Sequence, residues 1–261
     1  MKRIAAMLAF VLVPATAAVA HDTWIMTKET IRSTAPFEIS SGMYFPTLDT
    51  GPKADRVAGA GWRLRENAGR FADLNEGAQS LTMSADFEGE GTAVVWVAFK
   101  PNAIDLEEDE VDEYLEEIGA PEHLRRTWET AGEDRKWHET YTKYAKTFVA
   151  IGDAGEDASC IAPIGTAVEL VPLRDPTTVS SGEELVIRVL KKGYAAEGQA
   201  VVAQCCKSGE RTVKYANKSG HVTFEIDSAG PWLFSATELR LQSDGTWTSD
   251  FTTMSFTTGG K

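Results

Sequence analysis

Histidine, cysteine and positive charge are all scarce in this chain of 261 residues, which has four His, three Cys, and 26 Lys and Arg against 39 Asp and Glu. The net charge of −13 argues against nucleic acid or anionic lipid as partners, since both repel an acidic surface, and it is compatible with cation handling. Beyond the N-terminus no apolar run reaches the roughly 20 residues that a membrane helix needs. Enzyme signatures are missing too. There is no Gly-x-Ser-x-Gly elbow, no His-Glu-x-x-His pair and no Gly-x-x-x-x-Gly-Lys-Ser/Thr phosphate loop, and spacing singles out no carboxylate pair for glycoside hydrolysis. These absences favour a binding protein over an enzyme. The cysteines Cys160, Cys205 and Cys206 lack Cys-x-x-Cys spacing, which weighs against a thiolate metal site. In an oxidising compartment one disulfide is expected, from Cys160 to Cys205 or Cys206, because adjacent cysteines bond each other only with strain.

What the chain does have begins at its start. Lys2 and Arg3, the apolar stretch Ile4 to Val13 and the small residues Ala18-Val19-Ala20 make a secretory signal over residues 1–20, cut after Ala20. The mature protein is then expected to begin at His21 in a periplasmic or extracellular compartment. Losing Lys2 and Arg3 takes its net charge from −13 to −15.

The rest predicts a mainly β protein of two sandwiches. The first, residues 21–157, carries an α-helical insertion at about 105–145, and the second, residues 158–261, is immunoglobulin-like. In the first half Phe37-Glu38-Ile39-Ser40 and Leu81-Thr82-Met83-Ser84 alternate apolar and polar, and Ala93 to Phe99 reads as a buried central strand. Glycines including Gly42, Gly59, Gly61, Gly69 and Gly91 read as turns between strands. Helical spacing follows, with a capping box at Asp105 and Glu108, a stop at Gly119, and Pro121 opening a second helix. A third segment from Arg135 places Trp137, Tyr141, Tyr144 and Phe148 on a rough helical stripe, converting to a strand near Lys146 to Ile151. The acidic run from Glu107 to Glu117 reads as a solvated helix face, because flexible exposed carboxylates are poorly preorganised ligands. Past a polar linker at 152–157, seven short strands in about 90 residues, among them Val168 to Leu173 and His221 to Ile226, give the sandwich pattern.

The chemistry centres on His21. A terminal histidine chelates a metal through its α-amino nitrogen and ring Nδ1, and a second imidazole would complete a nitrogen-rich site suited to copper or nickel. Binding of this kind deprotonates the amine and weakens as pH falls. Asp22 adds an oxygen donor. His138, beside Glu139, is the candidate second imidazole, whereas His123 and His221 read as surface residues. Metal candidates are thus His21, Asp22, His138 and Glu139. Alternatively, Glu139 pairs with Lys146 inside the core. A copper oxygenase would need a flat aromatic surface around His21, for which Trp24 and Tyr44 are the nearby candidates. A metal-free structural or adhesion module is the third reading.

Several motifs carry a resemblance across nearly all of residues 21–261. They are His-Asp-x-Trp after the signal, Phe45-Pro46, Glu139-x-Tyr141-x-Lys143-Tyr144-Ala145-Lys146, Val168 to Leu173 with Asp175-Pro176, and Ala229-Gly230-Pro231-Trp232. Together they resemble the NikM-like periplasmic family linked to nickel and cobalt uptake. That resemblance implies an exported protein of two β-sandwiches working beside a membrane metal transporter, with nickel or cobalt as cargo. It also points to His21, Asp22, Glu139, Tyr141, Tyr144 and Lys146. Lys143 stands where the family motif commonly shows arginine, which removes any bidentate carboxylate clamp at that position.

Overall fold

The computed structural model describes residues 21–27, 34–132, 135–153, 155, 157–205 and 209–258. The expected signal at 1–20 and Cys206 lie outside the described residues. The first half runs β1 (Asp22–Met26), β2 (Thr34–Gly42), β3 (Val57–Leu64), β4 (Asn67–Arg70), β5 (Asn75–Glu76), β6 (Leu81–Asp86), β7 (Gly91–Phe99) and β8 (Asn102–Leu106). Two helices, α1 (Glu108–Glu117) and α2 (Glu122–Glu129), lead into the long β9 (Trp137–Ile151). The second half contains β10 (Val168–Pro172), β11 (Glu183–Lys191), β12 (Tyr194–Ala195), β13 (Ala200–Cys205), β14 (Arg211–Tyr215), β15 (His221–Ile226), β16 (Gly230–Leu241) and β17 (Trp247–Thr258).

Among the described residues these strands form three sheets. A nine-stranded sheet runs β14-β13-β16-β17-β9-β7-β3-β4, with β8 added on β9. One end is covered by β1-β2-β6-β5, and the other by β10 and β15 on either side of β11, with β12 also paired to β11. The first core packs Phe37, Ile39, Leu81 and Met83 against Val95, Val97 and Val149, and the second packs Leu170, Leu185 and Ile187 against Val201, Phe234 and Met254. The C-terminal layers therefore oppose β10-β11-β15 to β14-β13-β16-β17, an immunoglobulin-like sandwich. The boundary expected at 157 falls in the connection after β9. The large sheet nevertheless runs through it, because β17 pairs with β9 in parallel from Trp247↔Glu139 to Ser255↔Thr147.

That junction explains the main departure from the sequence reading, since residues 137–145 are strand rather than helix. From Ala145 to Val149 both faces of β9 are buried, one in each sandwich, so the alternation that marks a half-buried strand is lost. The helical insertion is accordingly only α1 and α2. Its capping box is Glu107 with Glu110, not Asp105 with Glu108. The helix ends at Gly119, whose φ of +62° suits a residue without a Cβ. Pro121 is the N-cap of α2 rather than its first helical residue. Gly59, Gly61 and Gly69 are inside strands rather than turns. A Cβ on Gly61 would lie 2.8 Å from the Trp96 indole and one on Gly69 2.6 Å from Trp62, so these glycines make room for the two indoles.

Cys160 is a buried free thiol, so the bridge expected from it is not formed. Burial and the nearby Asp175 and Asp157 push that thiol up to about 12. Cys205 instead places its sulfur 2.8 Å from Ser228 Oγ.

Candidate functional site

β1 fixes the site. It pairs with β2 from Asp22↔Gly42 to Met26↔Glu38, and Trp24 and Ile25 are wholly buried. Thr253 donates to the Thr23 carbonyl, Ser255 to the Ile25 carbonyl at 2.7 Å, and Lys143 to the His21 carbonyl at 2.6 Å. The chain at His21 is therefore held by three side chains of β9 and β17 as well as by its sheet.

Strand alternation then sorts the candidates. His21 and Thr23 line a cavity of about 260 Å³, whereas Asp22 lies beside Arg211, Glu117 and Ser235 in a separate small cleft. On β9, Glu139, Tyr141 and Lys143 line the cavity with His21. His138 is on the opposite face, 55% exposed, with Nδ1 2.6 Å from Asp105 Oδ1. Of the four expected metal donors the fold thus brings together His21 and Glu139 and sends Asp22 and His138 elsewhere. Among the described residues no group of three or more His, Cys, Asp or Glu is placed to hold a metal ion.

Glu139 is also committed. Its Oε1 accepts from Tyr114 at 3.0 Å and, closely, from Ser249, while Oε2 accepts from the Trp137 indole N–H at 2.8 Å. Burial outweighs these bonds and raises its carboxyl above the ordinary range. The expected Glu139–Lys146 pair does not form, since the two residues occupy opposite faces of β9. Lys146 bonds Glu169 at 2.8 Å inside the second sandwich instead. Tyr144, with its hydroxyl 3.5 Å from Asp250, likewise faces away from the cavity. Trp24 cannot contribute to a flat surface around His21, because it packs edge-on against Phe45, 5.6 Å between centroids. Tyr44 is 75% exposed.

The cavity holds residues that sequence reasoning missed. Lys53 and Arg56 come from the turn before β3, Tyr114 from α1, and Phe99, Ile104, Leu106 and Phe251 supply apolar wall. The Lys143 ammonium lies 5.5 Å from the Tyr141 ring centroid and 5.6 Å from that of Phe251. Burial lowers Lys143 to about 8, against the pull of Asp22 and Glu139. For His21, burial and the Lys143 charge lower the imidazole below its usual value, opposed by Asp49 and Asp22. The shift favours the neutral ring, the form that coordinates a metal.

Two sandwiches sharing one sheet, with a mixed polar and apolar cavity behind the first strand, define a β-sandwich protein with room for a small ligand. The chain belongs to the DUF4198 family, a domain of unknown function, whose model matches residues 18–239. No curated protein matches it. Among solved structures it is similar to a tetra-tandem repeat from the extending region of a large adhesion protein, at 11% identity over 91% of this chain and 49% of that one (TM-score 0.23). A bacterial ice-binding adhesin matches at 11% identity over 93% and 66% (TM-score 0.25), and the chicken CNTN1 FN1–FN3 domains at 11% over 90% and 64% (TM-score 0.21). The chain spans about half to two thirds of the length of these structures, and TM-scores so low carry no argument about its activity.

Proposed function

We propose that this is a periplasmic transition-metal-binding protein that captures or delivers nickel, cobalt or copper, with His21 as its anchoring ligand. The observation that carries the reading is the placement of His21. The residue that signal cleavage would make terminal lines the cavity, with its imidazole shifted toward the neutral form and Asp49 and Asp22 close enough to act on its titration. Cleavage after Ala20 would add an α-amine to that ring, giving two nitrogen donors on one residue. The remaining coordination positions would be left to ligands from outside, which suits a site that must release its metal to a membrane transporter. The resemblance to NikM-like proteins supports the same assignment.

Isothermal titration of protein beginning at His21 with nickel, cobalt and copper tests this. Binding tighter than about 10 μM, equivalent to roughly 7 kcal/mol, is expected, with His21→Ala weakening it at least tenfold. Unchanged affinity in His21→Ala would refute the assignment.

A further inference from the structure

The side chains that line the cavity beside His21 carry more positive than negative charge, in a protein whose net charge is −13. Three cations line it, Lys53, Arg56 and Lys143, against one carboxylate, Glu139, whose oxygens are already taken by Tyr114, Ser249 and Trp137. Lys53 is matched at the rim by Glu76, 3.1 Å away. The other two have no such contact, although Asp22 and Glu139 act on the Lys143 charge from further away. Arg56 donates to the carbonyls of Lys100 (2.8 Å) and Pro101 (3.1 Å), and Lys143 to that of His21, so among the described residues neither forms an ion pair. Carbonyls satisfy N–H groups but do not neutralise charge, and a cation in a recess without an ion-pair partner is costly unless an anion visits it. Tyr141 adds a donor, since its oxygen accepts from Asn102 Nδ2 at 2.9 Å and its own O–H has no acceptor among the described residues. The remaining wall, Phe99, Ile104, Leu106 and Phe251, is apolar.

Such a wall wastes its area on inorganic phosphate or sulfate, which are polar all round. A molecule charged at one end and apolar over its body uses both parts of the lining. At about 260 Å³ the cavity lies just below the roughly 300–1,000 Å³ of drug-sized ligand sites, so its occupant is a small molecule.

We infer that this cavity binds a small organic carboxylate, its negative end neutralised by Arg56 and Lys143 and its body packed on Phe99, Ile104, Leu106 and Phe251. The inference goes beyond the metal reading and does not need it, because the cations are fixed by β9 and the turn before β3 whether or not a metal is present.

The test uses protein beginning at His21, stripped of metal with a chelator and titrated calorimetrically with benzoate, benzamide and inorganic phosphate. Benzoate should bind saturably, with benzamide at least about tenfold weaker, the factor expected when a charge-assisted hydrogen bond is lost. Arg56→Gln should weaken benzoate by a similar factor, whereas Lys53→Gln, whose charge Glu76 already matches, should change it less than about twofold. Equal affinity for benzoate and benzamide, binding of phosphate alone, or no benzoate binding at millimolar concentration would each overturn the inference. The benzoate and benzamide comparison is made on the unmutated chain, so it decides the matter even if Arg56→Gln does not fold. His21→Ala separates the two proposals, since loss of nickel binding with benzoate binding retained upholds both. Benzoate binding in a protein that takes no metal upholds this one alone.

Discussion

Glu139 offers the sharpest test of how the cavity floor is built. It is 4% exposed and accepts from three donors, the Tyr114 and Ser249 hydroxyls and the Trp137 indole. Replacing it with alanine strips all three. A buried donor left unsatisfied costs about 1–3 kcal/mol, and the two hydroxyls can turn to other acceptors, so most of the loss falls on the fixed Trp137 N–H and the vacated space. Removing a carboxylate that burial holds above its ordinary titration range returns part of that cost. The expected net destabilisation is about 3 kcal/mol for Glu139→Ala. Glu139→Gln keeps one oxygen for Tyr114 and Ser249 but sets its amide nitrogen against the Trp137 N–H, donor facing donor, for a loss of about 1–2 kcal/mol. Urea unfolding followed by tryptophan fluorescence measures both, as a shift of midpoint at unchanged slope. The same residue gives a pH signature. Because its folded pKa exceeds the unfolded 4.5, folding takes up a proton, and this contribution to stability is present below pH 4.5 and lost as pH rises through the folded value. Glu139→Gln should abolish that component. Two variants indistinguishable from the parent, or glutamine worse than alanine, would refute the reasoning.

Other outcomes follow from the same structure. Trp137 stacks on Trp247 at 4.4 Å and meets Trp128 and Tyr114 edge-on, so Trp137→Ala should cost about 3–5 kcal/mol in the same unfolding experiment. Burial pushes the Glu169 carboxyl up, but Lys146 and the Ile164 and Gly165 N–H groups hold it below its ordinary value. Its contribution is therefore complete above pH 4.5 and lost on acidification through the folded pKa, and Glu169→Gln, which leaves Lys146 buried without its counter-ion, should cost about 3–5 kcal/mol at pH 7. Cys160 should resist iodoacetamide in the native protein at pH 8 and be alkylated only in denaturant, as mapped by peptide mass spectrometry.

Much of the β architecture was legible because short alternating runs and turn residues are local signals. His221–Ile226 and Val168–Pro172 are strands where the pattern placed them. β9 is hard to tell from a helix locally because a strand shared by two cores shows apolar residues on both faces, and Trp137 with Tyr141 fits a helical stride as well as an even strand spacing. The same alternation decides the site. Neighbours in sequence, His21 with Asp22 and His138 with Glu139, read as joint ligands but point to opposite sides of a strand, while residues two apart, Glu139, Tyr141 and Lys143, converge. Arg56, Phe99 and Phe251 were invisible in advance, since nothing local marks an arginine in a turn or a phenylalanine in a strand as facing a cavity assembled from distant segments.

On the proposed reading His21 binds metal through both its ring and the amine that cleavage after Ala20 would create. Acetylating that amine alters no side chain, so titrating nickel and copper into acetylated and unacetylated protein beginning at His21 isolates its contribution. Acetylation should weaken binding at least tenfold, about 1.4 kcal/mol or more. Equal affinity in the two forms would contradict the claim.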